Sequence, residues 1–299
     1  MTFNEGASIN SGRVQRRRGG AAGGIAIGGG AGGIVIVLLY LLIQFLGGGD
    51  ASSALNGLGN DTQDQTNDGT FAEGCKTGAD ANAAADCRVA GTIQSLDDYW
   101  DDALPGLGAQ LALPGIVVFD NAAQSACGTA SGATGPFYCP TDQTIYLDVA
   151  FFDELESKYG ASGGPLAQMY VVAHEYGHHI QHQLGVFDVA DTSQTGEGSD
   201  SVKVELMADC LAGVWAGHAA TTKDTDGVTL LDPLTQQDVN DALSAAAAVG
   251  DDRIQQQATG HVDESGFTHG SAEERQAAFT TGYTNGTATA CDSFNVIGS

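Results

Sequence analysis

The sequence predicts an α+β fold, mostly helical with a small sheet, preceded by one transmembrane helix. Three observations carry that reading. The stretch from Gly19 to Gly49 contains no Asp, Glu, Lys, Arg or His. Later segments show helix start and stop signals around buried-looking apolar residues. Two short runs, Gly115–Asp120 (GIVVFD) and Thr144–Asp148 (TIYLD), are rich in β-branched and aromatic residues, as strands are.

Residues 1–18 form a polar segment ending in Arg16-Arg17-Arg18, predicted as a basic cytoplasmic tail. Residues 19–49 follow as the membrane span. Its apolar heart, Ile25 to Leu46, is long enough as a helix to cross a hydrocarbon core of roughly 30 Å. Gly47-Gly48-Gly49-Asp50 offers no A-x-A-like cleavage exit, so the segment reads as a retained single-pass anchor. Residues 50–74, mostly Ser, Asn, Asp, Gln, Thr and Gly, read as a flexible acidic and polar stalk. The folded domain is predicted over 75–299, outside the cytoplasm. Within it, Ser95 opens a capping pattern before Leu96, Tyr99 and Trp100. A helix starts at Pro165, favoured in the first turn, and ends before Gly185. Further helices run from Val202 to about Ala219 and from Thr235 to Val249. Ser271-Ala272-Glu273-Glu274 is a capping box that opens another.

The charge balance is strongly acidic, with 37 Asp and Glu against 11 Lys and Arg. Binding to nucleic acid needs clustered cations and is excluded on that ground. Six cysteines, Cys75, Cys87, Cys127, Cys139, Cys210 and Cys291, include no CxxC pair. Downstream of a membrane segment, an even count at wide spacing reads as three disulfides in an oxidising compartment. Proximity favours Cys75 with Cys87 and Cys127 with Cys139, which leaves Cys210 for Cys291.

The chemistry sits in Val172-Ala173-His174-Glu175-Tyr176-Gly177-His178-His179-Ile180-Gln181, which contains H-E-x-x-H. On a helix, His174 and His178 lie one turn apart and present both imidazoles to one point, the spacing Zn2+ needs. Glu175 projects beside them as the candidate general base. A following Gly and third His are absent, because Gln181 and Leu184 occupy those places. A second helix supplies the alternative: Glu205 as third metal ligand, and Asp209, four residues on, as hydrogen-bond acceptor for a ligand imidazole. His179 and His182 are assigned to the outer helix face, Tyr176 to packing, and Gly177 to a close approach by another helix.

HEYGHHIQ, then VELMADCLAGVWAG, then FTHGSAEERQAAF closely resemble the bacterial neutral zinc metallopeptidases. The resemblance covers roughly Cys87 to Phe294, and the arginine-rich start with one membrane helix is also similar. It implies a zincin-like domain and a zinc peptidase. In glutamate-ligated zincins generally, a strand before the H-E-x-x-H helix forms the sheet edge along the substrate cleft, and Thr144–Asp148 stands in that place. A His or Tyr usually stabilises the developing oxyanion, and His269 is the first choice. The leading reading is a membrane-anchored peptidase acting on a peptide or protein substrate. Two others stand beside it: a non-catalytic binding or scaffold domain stabilised by zinc and disulfides, and a zinc hydrolase of non-peptide amides. No motif specifies an oligomeric state.

Overall fold

Helix-forming and strand-forming runs separate cleanly along the chain, and their burial patterns dictate how they layer. The computed structural model describes residues 2–18, 74–131 and 134–297. In chain order the strands and helices are β1 (Val14–Arg18), α1 (Gly78–Ala83), α2 (Ala85–Ala103), β2 (Gly115–Asp120), β3 (Ala122–Ser125), β4 (Gly128–Ser131), β5 (Phe137–Cys139) and β6 (Thr144–Asp148). They continue with α3 (Ala150–Ser157), α4 (Pro165–Gln183), α5 (Val186–Val189), α6 (Asp200–His218), α7 (Gln236–Ala248), α8 (Asp251–Thr259) and α9 (Ala272–Asn285). The fold is α+β and mostly helical, with small sheets.

The main sheet has the order β1-β2-β6-β5. β1 and β6 run parallel to β2, with Val14 opposite Ile116 and Ile116 opposite Ile145, while β5 is antiparallel to β6. β2 and β6 are apolar on both faces because both faces are covered. Ile116, Val118, Ile145 and Leu147 join the helical core. Val117, Phe119 and Tyr146 face the other way and pack with Phe137, Ala123 and Ala130, under the β3–β4 hairpin. The Cys127–Cys139 disulfide ties that hairpin to β5.

Helices α4 and α6 pack as a central pair, with α2 and α7 against α4 and α9 against α6. The α6–α9 contact is so close that a Cβ on Gly282 would stand 1.8 Å from the Cys210 carbonyl oxygen. The Cys210–Cys291 disulfide closes the same contact, and Cys75–Cys87 closes the turn before α1 onto α2. Cys75–Cys87 and Cys127–Cys139 are the pairings favoured by sequence proximity, and Cys210–Cys291 is the one that proximity left over.

Helix starts follow the residues that cap them. Thr235 caps α7 and Ser271 caps α9, each in a reciprocal capping box. Pro165 occupies the first turn of α4, and Gly185 follows its end in the left-handed conformation. Ser95 departs from expectation: it lies inside α2, not at a helix start. Its hydroxyl is buried, accepts the Trp215 indole N–H at 3.2 Å and shares a 2.9 Å hydrogen bond with Thr222. Tertiary contacts use the hydroxyl that local capping would have used.

Residues 2–18, expected as a separate basic tail, form β1 and the segment leading into it, packed on the domain. Among the described residues no helix is long and apolar enough to cross a membrane. The span expected over 19–49 lies outside the described residues, as does the stalk over 50–74 apart from Gly74.

His179 is also corrected, because α4 turns that side inward and leaves it fully buried. Its Nε2–H donates to the Ala112 carbonyl at 2.6 Å, and Nδ1 lies 3.1 Å from the Tyr138 hydroxyl. Burial holds this imidazole down at about 4, against an ordinary value of 6.5. Stability from the neutral ring is therefore complete above pH 6.5, where the unfolded chain is neutral too. It is lost as pH falls towards 4, because only the unfolded chain then gains a proton. The loss approaches roughly 3 kcal/mol. Urea unfolding at pH 7 and pH 4.5 should show His179→Gln losing clearly less stability on acidification than the parent.

Candidate metal centre

Helices α4 and α6 cross with almost no side chain between them at Gly177. A Cβ there would stand 2.9 Å from the Ala208 carbonyl oxygen. This approach brings the His174/His178 face of α4 onto the Glu205/Asp209 face of α6. All four residues are buried, with exposures between 0 and 7 %.

The His174 Nε2 atom lies 3.1 Å from Glu205 Oε2, and the His178 Nε2 atom lies 3.5 Å from the same oxygen. Ligand atoms on a tetrahedral zinc with bonds of about 2.0–2.1 Å stand about 3.3–3.4 Å apart. The observed separations bracket that spacing, and the two nitrogens and one oxygen all lie within 4.8 Å of one another. The residues therefore fit zinc. A second cluster, Cys75, Asp86 and Cys87, does not, because its sulfurs are joined as a disulfide.

Both imidazoles are held in the tautomer that frees Nε2 for a metal. His174 Nδ1–H faces Asp209 Oδ1 at 2.8 Å, and His178 Nδ1–H faces Gln181 Oε1 at 2.8 Å. Asp209 thus makes the imidazole hydrogen bond expected of it from the sequence. Gln181, which the sequence marked only as the wrong residue for a third ligand, serves the second imidazole. It lies one turn beyond His178 and is anchored by donating to the Val204 carbonyl at 2.6 Å.

Asp209 is itself gripped by residues the sequence reading missed. Arg275 on α9 donates from Nε to Oδ2 at 2.8 Å and from Nη2 to Oδ1 at 3.0 Å. Tyr170, one turn before His174, donates its hydroxyl to Oδ1, and Arg275 also reaches that hydroxyl at 3.1 Å. Burial would raise the Asp209 carboxyl, but Arg275 and His174 hold it down at about 2. The Glu205 carboxyl is likewise held well below its usual range, by His178, His269 and His174 against the effect of burial.

Glu175 follows His174 on α4 and stays outside the converging donor set. Burial pushes its carboxyl up; His174 and His178 oppose this, Glu205 adds to it, and the Tyr138 backbone N–H opposes it again. That N–H belongs to β5, which corrects the expected substrate edge. Thr144–Asp148 is β6, enclosed between β2 and β5, so the outer strand beside the site is β5. The sequence hid this because β5 is only three residues long.

His269 sits in a loop that wraps Asp251, the first residue of α8. The backbone N–H groups of Thr268, His269 and Gly270 donate to Asp251 Oδ2 at 2.6, 2.7 and 3.1 Å. The imidazole Nδ1 lies 2.7 Å from the Thr268 hydroxyl and 3.5 Å from Asp251 Oδ1. Burial disfavours its charged form, but Glu205 and Asp251 outweigh that and raise it. The loop thus brings His269 within the field of the metal-facing Glu205, while also anchoring α8.

If Gln181 orients His178, Gln181→Leu should weaken zinc binding by about 10–100-fold in a chelator competition, with the fold retained by circular dichroism.

The comparisons with known proteins agree with this arrangement. The family described as "Putative neutral zinc metallopeptidase" matches residues 3–294. The Mycobacterium tuberculosis H37Rv protein "Uncharacterized protein Rv2575" is 49% identical over 236 residues, covering 79% of each chain. The Escherichia coli K12 protein "Uncharacterized protein YpfJ" is 38% identical over 207 residues, covering 68% of this chain and 69% of that one. No solved structure matches. A family match spanning nearly the whole described fold, with the His174, His178 and Glu205 donors converged inside it, places the chain in the neutral zinc metallopeptidase family.

Proposed function

We propose that this chain is a zinc-dependent peptidase that hydrolyses peptide bonds with Glu175 as general base. The observation that carries the reading is the position of Glu175: buried beside the two imidazoles on α4, yet outside the donor set. Among the described residues only three His, Cys, Asp or Glu donors converge there. A closed structural zinc site takes four protein ligands, whereas a catalytic one takes three and keeps one position open. Zinc held at such a site supplies Lewis-acid polarisation of the scissile carbonyl and acidifies water.

The chain's own residues supply the rest. Glu175 accepts a proton from the attacking water and passes it to the leaving amine. Its environment suits that exchange, since burial alone favours the protonated form and the neighbouring imidazoles favour the charged one. His269, raised towards its cationic form by Glu205 and Asp251, donates a hydrogen bond to the developing oxyanion. An extended peptide lies along β5, the outer strand of the sheet, which packs on α4. Three disulfides support a compartment outside the reducing cytoplasm, and the apolar segment 19–49 supports attachment to a membrane.

The test is peptide-library cleavage by the full chain, comparing the parent with Glu175→Gln. The variant should keep its zinc and lose about 10²–10⁴-fold in rate. Chelation should abolish the parent's cleavage, and added zinc should restore it. Equal cleavage by parent and variant would overturn the mechanism, and a zinc-loaded parent inert on every peptide would overturn the peptidase reading.

A further inference from the structure

A chain that crossed a membrane once through residues 19–49 would hold residues 2–18 on the side opposite the metal centre. The fold holds them against it instead. β1 pairs with β2 along its whole length, from Val14 opposite Ile116 to Arg18 opposite Asp120. Paired strands lie about 4.8 Å apart, whereas a hydrocarbon core is roughly 30 Å thick. The two cannot pair across a bilayer.

The rest of the segment is built in as firmly as the strand. Phe3, Ala7, Ile9 and Val14 are buried in the helical core. Phe3 occupies a seat made by glycines on α1 and α2. A Cβ on Gly91 would stand 2.6 Å from Phe3 Cε1, and one on Gly78 would stand 1.9 Å from the Asn4 carbonyl oxygen. The Asn82 side chain bonds both the N–H and the C=O of Phe3 at 2.8 Å. Backbone hydrogen bonds join Asn4 N–H to the Leu230 carbonyl at 3.0 Å and Ile9 N–H to the Lys76 carbonyl at 2.8 Å. Ser8 N–H donates to Asp224 at 2.8 Å.

Two arginines of the supposed tail make specific pairs. Arg16 bonds Asp120 at 3.1 Å. Arg13 forks onto Asp97, with Nε donating to Oδ2 at 3.0 Å. The other oxygen of Asp97 accepts the Tyr176 hydroxyl at 2.8 Å, and Tyr176 is the residue after Glu175. The segment therefore reaches the metal-bearing helix through one carboxylate.

We propose that residues 2–18 are a permanent part of the metal-bearing domain, so that the N-terminus and the metal centre face the same compartment. The arginine cluster then serves as a set of structural partners for Asp97 and Asp120 and does not mark a cytoplasmic tail. The inference does not depend on the peptidase reading.

The test uses the full chain in its native membrane. A cysteine is placed at the exposed Glu5 (Glu5→Cys) or, as reference, at the exposed Gln256 (Gln256→Cys). Each is probed with a membrane-impermeant maleimide, before and after lysis. The native cysteines are paired and give a silent background. Both sites should react under the same condition, either both in intact cells or both only after lysis. Reaction of one in intact cells and of the other only after lysis overturns the proposal. A second measurement asks whether the strand is docked. The register partners Gln15 and Val117 are changed together (Gln15→Cys with Val117→Cys), since adjacent strand positions lie within disulfide range. Oxidation should join the N-terminal peptide to the β2 peptide in a non-reducing digest, and its absence in a chain whose native disulfides are intact overturns docking.

Discussion

Taking Glu205 and Asp209 out of water between two closely packed helices is the constraint on which the rest of this structure depends. A buried carboxylate costs several kcal/mol unless charges and donors surround it, and removing one partner of a buried pair leaves the other uncompensated. Here Asp209 is matched by the Arg275 fork, the Tyr170 hydroxyl and His174, while Glu205 faces both imidazole Nε2 atoms. The compensation that makes burial tolerable is the same set of bonds that orients the candidate metal ligands. Stability and site geometry are one problem, solved where Gly177 lets α6 touch α4.

The surrounding elements keep that contact closed. α9 delivers Arg275 while packing backbone to backbone on α6 at Gly282, and the Cys210–Cys291 disulfide holds the chain end against the same helix. On the other side, β5 packs on α4 and is tied to the β3–β4 hairpin by Cys127–Cys139. The wall formed by α2 and β2 is completed by residues 2–18, whose Arg13 meets Asp97 beside Tyr176. Each support reaches α4 or α6 within one or two contacts.

What could be read from the sequence was what repeats locally. His174, Glu175 and His178 are one helical turn, and Glu205 and Asp209 are another, so spacing alone placed their faces. Disulfides between near neighbours along the chain were legible for the same reason. Most of the missed features depend on contacts distant in sequence. Arg275 lies 66 residues from Asp209, and β1 pairs with β2 across about a hundred residues. Its arginines gave no sign of a strand pairing because the carboxylate that Arg16 meets, Asp120, is remote. Ser95 imitated a cap because its hydroxyl answers Trp215 and not the local backbone. His179 looked solvated because a polar ring in a histidine-rich run gives no hint of the Ala112 carbonyl that satisfies it.

The central claim is that His174, His178 and Glu205 hold zinc with one position left open to solvent and substrate. A crystal structure of the zinc-loaded full chain tests it most directly. The account predicts a tetrahedral ion on the Nε2 atoms of both imidazoles and an oxygen of Glu205, with solvent in the fourth place and Glu175 beside it. A shell closed by four protein ligands, or zinc bound elsewhere with these three residues empty, would contradict it.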